Sequence, residues 1–166
     1  MLSERRDTDR MRPVPNLDLD WHPDPMITVR PASPLDQDAV RALGRIVHQV
    51  SNKLDLDPLH DLVAEEDGEV LGWIRVTFGE CLDEIGRTGA WIQTMAVFPD
   101  SQGRGIGGLL VGAAEDHALQ AGDRVIACQP IEDGSLVRRL KFFTRLGYES
   151  RGDPDLEGFW AKELSV

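Results

Sequence analysis

The chain has 166 residues, 41% of them apolar and 28% charged, and a formal net charge of −11. That length holds one domain burying about 68% of its unfolded surface and leaves little room for two, and the composition is that of a globular protein rather than a disordered chain. The acid excess excludes the basic patch that counterion release requires, so nucleic acid is not an expected partner.

Residues 1–25 are charged at first and then interrupted by Pro13, Pro15, Pro23 and Pro25. They are expected to form a flexible arm ahead of a domain spanning 26–166, with Trp21 suited to docking on that domain or on a second subunit. Glu4, Arg5, Arg6, Asp7, Asp9 and Arg10 have no apolar segment behind them, which argues against a secretory signal. No apolar run is long enough to span a bilayer. Cys81 and Cys128 fit neither a disulfide framework nor a spaced metal site, and are expected as reduced thiols of a cytoplasmic protein.

Residues 27–30 alternate as a short strand that Pro31 ends. Ser33 as N-cap, Pro34 at the first helical position, and Asp36 and Asp38 in the first turn predict a helix, which Val40, Leu43, Ile46 and Val47 carry to about residue 50. After a polar link over 51–58, strands at 59–65 and 70–78 flank a tight turn as a hairpin, and a loop is expected over 79–89. Residues 90–98 are apolar on both alternating faces, the pattern of a central strand. From Ile106 a second helix presents Leu109, Leu110, Ala113, Ala114, His117 and Ala118 on one face and stops at Gly122. A short strand over 124–128 follows. A helix lined by Leu136, Leu140, Phe143 and Leu146 then stops at Gly147, and strands at 148–150 and 159–161 close the chain around an acidic turn.

Between the central strand and the second helix lies Gln102-Gly103-Arg104-Gly105-Ile106-Gly107-Gly108. Its glycines leave backbone amides uncovered and allow positive φ, and the helix start adds unpaired donors and a positive dipole end, so the turn is built for an anion. Gly103, Gly105 and Gly108 formally satisfy a dinucleotide G-x-G-x-x-G. The next strand, however, ends in Gln129 and Pro130 where that fold needs an acid for the ribose, and the early hairpin breaks its β-α-β order. A triphosphate loop needs Lys and a hydroxyl after its last glycine, and Gly107 is followed by Gly108 and Leu109.

Val97-Phe98-Pro99-Asp100-Ser101-Gln102-Gly103-Arg104-Gly105-Ile106-Gly107, followed by Leu109, Leu110, Ala114, His117 and Ala118, strongly resembles the acetyl-CoA motif of the GNAT superfamily of N-acetyltransferases. The signature Gln/Arg-x-x-Gly-x-Gly/Ala is met by Gln102, Gly105 and Gly107. The resemblance extends over about 27–166, since the order of elements matches and 142–148 looks like the family's closing helix and strand. It implies an α/β (α+β) fold with a mixed, mostly antiparallel sheet splayed at its centre and flanked by helices. It also implies acetyl-CoA as co-substrate, no metal, direct attack by a primary amine in a ternary complex, and by family habit a homodimer. On that likeness Gln102, Gly103, Arg104, Gly105, Ile106, Gly107 and Gly108 hold the coenzyme pyrophosphate. Backbone amides of Met95, Ala96 and Val97 pair with pantetheine and polarise the acetyl carbonyl, and Phe142 and Arg145 of the closing helix complete the coenzyme side.

The chain departs from that pattern in its proton-transfer groups. Many relatives carry Glu at the middle of the central strand, where this sequence has Gln93, and a Tyr in the closing helix, where it has Phe143. An amide is no base near pH 7, so Gln93 either orients a water or the acceptor or faces the cleft for packing reasons. Tyr148 as acid and Cys128 as acyl relay are candidate substitutes, each with a core role as its alternative; His48 and His60 flank the acceptor loop. The two loops that border the acceptor in this family carry Asp55 and Asp57, and Asp153 and Asp155, which favours a small cationic amine. Two rival readings stand beside this one: a protein acetyltransferase acting on Lys or an N-terminus, and a non-catalytic acyl-CoA-binding module.

Overall fold

The structure is a computed structural model and describes residues 26–47, 54–82, 87–130, 135–151 and 159–165. Its elements follow the expected order: β1 (Thr28–Pro31), α1 (Gln37–Ile46), β2 (Asp61–Glu66), β3 (Glu69–Cys81), β4 (Thr88–Val97), α2 (Ile106–Ala121), β5 (Val125–Cys128), α3 (Leu136–Arg145), β6 (Glu149–Arg151) and β7 (Phe159–Glu163). The strands form one sheet in the order β1-β2-β3-β4-β5-β7-β6. Among the described residues only the β4–β5 pairing is parallel. No helix among the described residues is long and apolar enough to cross a membrane.

Several boundaries and one buried face differ from the sequence reading; α1, expected to about residue 50, ends at Ile46. The hairpin of β3 and β4 takes in both ends of the expected 79–89 loop, through the pairs Glu80↔Gly89 and Cys81↔Thr88. Backbone pairing sustains these ends, where Glu80, Cys81 and Thr88 are exposed and no hydrophobic alternation marks a strand. Leu109, expected on the apolar face of α2, is 45% exposed, and Val111 takes its place in the core.

Strand alternation sorts the sheet into two faces. Leu62, Ala64, Ile74, Val76, Ile92 and Ile126 pack with Leu110, Val111, Ala114 and Ala118 of α2. On the opposite face Val63, Trp73 and Ala96 pack with Val40 and Leu43 of α1. Each fully buried aliphatic contributes about 1.5–3 kcal/mol. Gly72 lets α2 approach closely, since a Cβ there would lie 3.1 Å from Ile106, Leu110 and the Ala96 carbonyl.

The start of α1 is pinned by charge. The Asp36 carboxylate accepts bonds from Ser33 N–H (2.7 Å) and Oγ (3.0 Å) and a forked pair from Arg30, which also reaches Glu65. The Arg30 guanidinium, above all, holds the Asp36 carboxyl down to about 2 from 3.8. The stabilisation is therefore full above about pH 4 and lost as pH falls toward 2. Asp36→Asn should cost about 2 kcal/mol at pH 7, a difference that denaturant titrations should show shrinking between pH 4 and pH 2.

Candidate active site

The site is created by a divergence in the middle of the sheet. β4 pairs with β5 only through Ala90↔Ile126, Trp91↔Ala127 and Ile92↔Cys128, yet it stays paired with β3 as far as Gly72↔Val97. The register with β3 shifts between Arg75↔Thr94 and Val76↔Ile92, which makes Gln93 the extra residue of a β-bulge. The two strands therefore part where the bulge lies, and 93–97 border an open fork.

Alternation decides which backbone groups face that fork. Phe98 N–H donates to the Leu71 carbonyl (3.0 Å), and the unbroken register turns Ala96 and Thr94 the same way, toward β3. Met95 and Val97 then direct N–H and C=O toward the fork, where the Val97 carbonyl is already taken by the Gln102 side-chain amide. Of the three residues expected to offer amides to pantetheine, two face the cleft and Ala96 is engaged in the ladder.

The turn 98–105 leads from β4 into α2. Gly103 and Gly105 have φ of +82° and +80°, which their lack of Cβ permits, and Gly105 is the N-cap of α2. Nothing lies within 4 Å of where a Cβ would stand at Gly103, Gly105 or Gly108, so the turn is open to a phosphate. The first intrahelical bond runs from Leu109 N–H to the Gly105 carbonyl (3.2 Å), leaving the amides of Ile106, Gly107 and Gly108 without helical acceptors. At Gly107 a Cβ would come within 3.2 and 3.3 Å of the Phe142 ring and 3.8 Å of Met95, so α3 and β4 close on the turn from two sides.

Side chains hold this turn in place. Gln102 donates to the Val97 carbonyl (3.2 Å) and accepts from Arg138 of α3 (2.8 Å). Arg104 is tied to Glu66 on the β2–β3 hairpin (2.6 Å), so its guanidinium already has a carboxylate partner. Arg145 is exposed on the last turn of α3.

The titratable candidates lie deeper. Cys128 is the last β5 residue paired with β4, and burial pushes its thiol up to about 12, so it stays protonated near neutral pH. Cys81, by contrast, is exposed. Iodoacetamide at pH 8 should alkylate Cys81 in the native protein and spare Cys128 until denaturant is added; mass spectrometry of tryptic peptides would read this, and prompt labelling of both would contradict it. Tyr148 is 1% exposed and edge-on to Phe143, itself buried. Burial first, and the nearby Glu115 charge second, push the tyrosine hydroxyl well above its usual range, although Glu115 does not meet hydrogen-bond geometry with it. Gln93 is exposed at the bulge.

On the acceptor side Leu54 and Leu56 pack toward α1, while Asp55 and Asp57 are exposed. His60 bonds the Val76 carbonyl through Nδ1 (2.9 Å) and stacks on Phe78. Asp153, Asp155, His48 and Trp21 lie outside the described residues. No group of three or more His, Cys, Asp or Glu among the described residues could hold a metal ion. Sequence reasoning missed Asp61 and Arg75, which form a buried network beside the 54–57 segment. The signal was an arginine in the middle of the apolar run Leu71-Gly72-Trp73-Ile74-Arg75-Val76.

A sequence profile described as the acetyltransferase (GNAT) family matches residues 20–148. Among solved structures, the candidate acetyltransferase yncA from Salmonella typhimurium, determined with its cofactor acetyl-CoA, superposes with a TM-score of 0.62 at 21% identity, covering 84% of this chain and 94% of that one. An N-acetyltransferase from Staphylococcus aureus Mu50 gives 0.63 at 17% identity, covering 84% and 99%. N-acetylglutamate synthase from Neisseria gonorrhoeae, complexed with coenzyme A and L-arginine, gives 0.66 at 18% identity; the match covers 86% of this chain but 34% of that one, so this chain spans about a third of that enzyme.

Proposed function

The chain belongs to the GNAT acetyltransferase family, and from that premise we propose that it transfers the acetyl group of acetyl-CoA to the nitrogen of a small cationic primary amine. The observation that carries this reading is the fork, where β4 leaves β5 at the Gln93 bulge, stays paired with β3, and runs on through the glycine turn into the start of α2. The pyrophosphate fits the amides of Ile106, Gly107 and Gly108, and the pantetheine arm fits the open edge, bonding Met95 and Val97 as an added strand would.

The thioester carbonyl then lies at the bulge, where fixed backbone donors stabilise the charge that develops on its oxygen. The ammonium first gives one proton to water, and the neutral nitrogen attacks the carbonyl carbon; the C–S bond breaks, coenzyme A leaves as a thiolate that takes a proton from water, and the second N–H proton of the adduct passes to water. Gln93 orients that water or the amine. A thiol of pKa near ~8.5 leaves without an obligatory acid, which fits the apolar Phe143 and the inward Tyr148.

Exposed Asp55 and Asp57 draw a cation to the mouth. The double Asp→Asn variant should raise the acceptor KM several-fold at low ionic strength, with the effect fading as salt is added. An unchanged KM would remove these two from the acceptor site.

Free-thiol release from acetyl-CoA across a panel of amines and Lys-containing peptides, with mass spectrometry of the product, tests the function. Release with small amines supports it. One observation favours a second reading, a non-catalytic acyl-CoA-binding module: Cys128 and Tyr148 are both buried, and burial raises both groups, which makes the thiol a poor nucleophile and the phenol a poor acid. Tight acetyl-CoA binding without release for any acceptor would establish that reading instead.

A further inference from the structure

Asp61, at the first position of β2, has no exposed surface. Its Oδ1 accepts from Trp73 Nε1 (2.8 Å) and Arg75 Nε (2.8 Å), and its Oδ2 from Arg75 Nη2 (2.7 Å) and the Asp57 amide (2.8 Å). Arg75 Nη2 also donates to the Asp55 carbonyl (2.9 Å), and the guanidinium lies 5.8 Å from the Trp73 ring. Two charges thus clamp the backbone of the exposed residues Asp55 and Asp57, and the Asp57 carboxylate is steadied further by accepting from the Leu59 amide (2.9 Å).

The same segment is closed elsewhere by backbone and amide bonds. The Asp57 carbonyl accepts from the amides of His60 (2.9 Å) and Asp61 (2.7 Å), and Gln37 of α1 donates to the Leu54 carbonyl (2.6 Å). Across the sheet Arg75 is paired with Thr94, the neighbour of the bulged Gln93. One arginine therefore touches both the acidic segment and the strand next to the fork.

Stability alone does not explain the pair. Desolvating two charges offsets most of their mutual attraction, and well-packed apolar residues of similar volume stabilise a core as well or better. A forked guanidinium, unlike an apolar pair, fixes direction as well as distance.

We infer that Asp61 and Arg75 are positioning residues for the acceptor: they hold 54–57 against β3, one strand from the Gln93 bulge, so that Asp55 and Asp57 meet the incoming amine in a fixed place. This rests on the acetyl-transfer reading above. Neither residue touches the reacting atoms; both act through the segment they hold.

The test is steady-state kinetics of Arg75→Met, Arg75→Lys and Asp61→Asn with the best amine of the panel, alongside amide hydrogen exchange over 54–61. Arg75→Met should raise the acceptor KM about tenfold while the acetyl-CoA KM stays near wild type, because displacement of the acceptor groups misplaces only one substrate. Arg75→Lys should recover part of that loss, since an ammonium keeps one bond to Asp61 but cannot bridge to Asp55. Exchange should quicken over 54–61 and nowhere else. An acceptor KM that stays at the wild-type value while exchange quickens overturns the inference, and so do parallel losses in both KM values with a general fall in Tm. If Arg75→Met does not fold, Arg75→Lys and Asp61→Asn carry the same comparison. Wild-type protein that releases no thiol with any amine refutes the acetyl-transfer reading itself, an outcome that no variant can mimic.

Discussion

Gly105→Val should lower acetyl-CoA affinity about 100-fold or more while leaving the fold intact. Gly105 is the N-cap of α2 at φ +80° and ψ +2°, and no atom lies within 4 Å of a Cβ placed there. Crowding is therefore not the cost. The left-handed conformation costs an L residue roughly 1–2 kcal/mol, and a β-branched one more. The chain escapes by rotating φ, which turns the amides of Ile106 and Gly107 off the anion, and the isopropyl group occupies the open space a phosphate needs. Together these amount to about 3 kcal/mol, or two decades in Kd. Gly112→Ala is the matching control: it lies in the interior of α2 with no atom within 4 Å of its Cβ and no positive φ. It should stabilise by about 0.4–1 kcal/mol and leave binding unchanged. Calorimetric titration with acetyl-CoA and thermal melts would read both variants, and a Gly105→Val protein that binds normally would detach the turn from the ligand.

Met95→Pro should reduce kcat/KM for acetyl-CoA by about 10² to 10³, the loss typical of one preorganised donor. Proline in a central strand ordinarily removes a ladder bond. At position 95 the N–H faces the fork, where β4 has no neighbour, so the pairing with β3 is preserved and the strand behaves as an edge. Met95→Leu keeps the amide and most of the packing beside Gly107, and should stay within about threefold of wild type. Ala96→Pro, one residue on, would instead cut the β3 ladder and destabilise the sheet. A Met95→Pro protein that melts normally and turns over normally would show that this amide makes no contact with the co-substrate.

Much of the architecture was legible because it rests on periodicity and punctuation. Pro31, Gly122 and Gly147 bracket elements where the structure places their ends, Pro34 opens a 3-10 turn over Pro34–Asp36 that leads into α1 rather than starting α1 itself, and the glycine turn was readable from residue type alone. The buried face of α2 was not, since Ile106-Gly107-Gly108-Leu109-Leu110-Val111-Gly112-Ala113-Ala114 is apolar nearly all round and any of several stripes could turn inward. The bulge was hidden for a different reason. A one-residue shift in pairing leaves no compositional mark on an apolar strand, yet it is what places Gln93 at the parting of β4 and β5. Asp61 and Arg75 are far apart in sequence, and only the register of β2 with β3 sets them side by side. Tyr148 and Cys128 show the converse: residue type suggested chemistry, and burial removed the exposure and low pKa that such chemistry needs.

We propose that one continuous surface, from the first turn of α2 along the edge of β4 that β5 leaves unpaired to Gln93, takes acetyl-CoA. Titration of acetyl-CoA into 15N-labelled protein addresses it directly, because the amides in question are the probes. The amides of 103–108, Met95 and Val97 should shift together and saturate with one dissociation constant, while Ala96, bonded to β3, moves less. Saturation that leaves the amides of 103–108, Met95 and Val97 where they stand in the free protein would contradict the account.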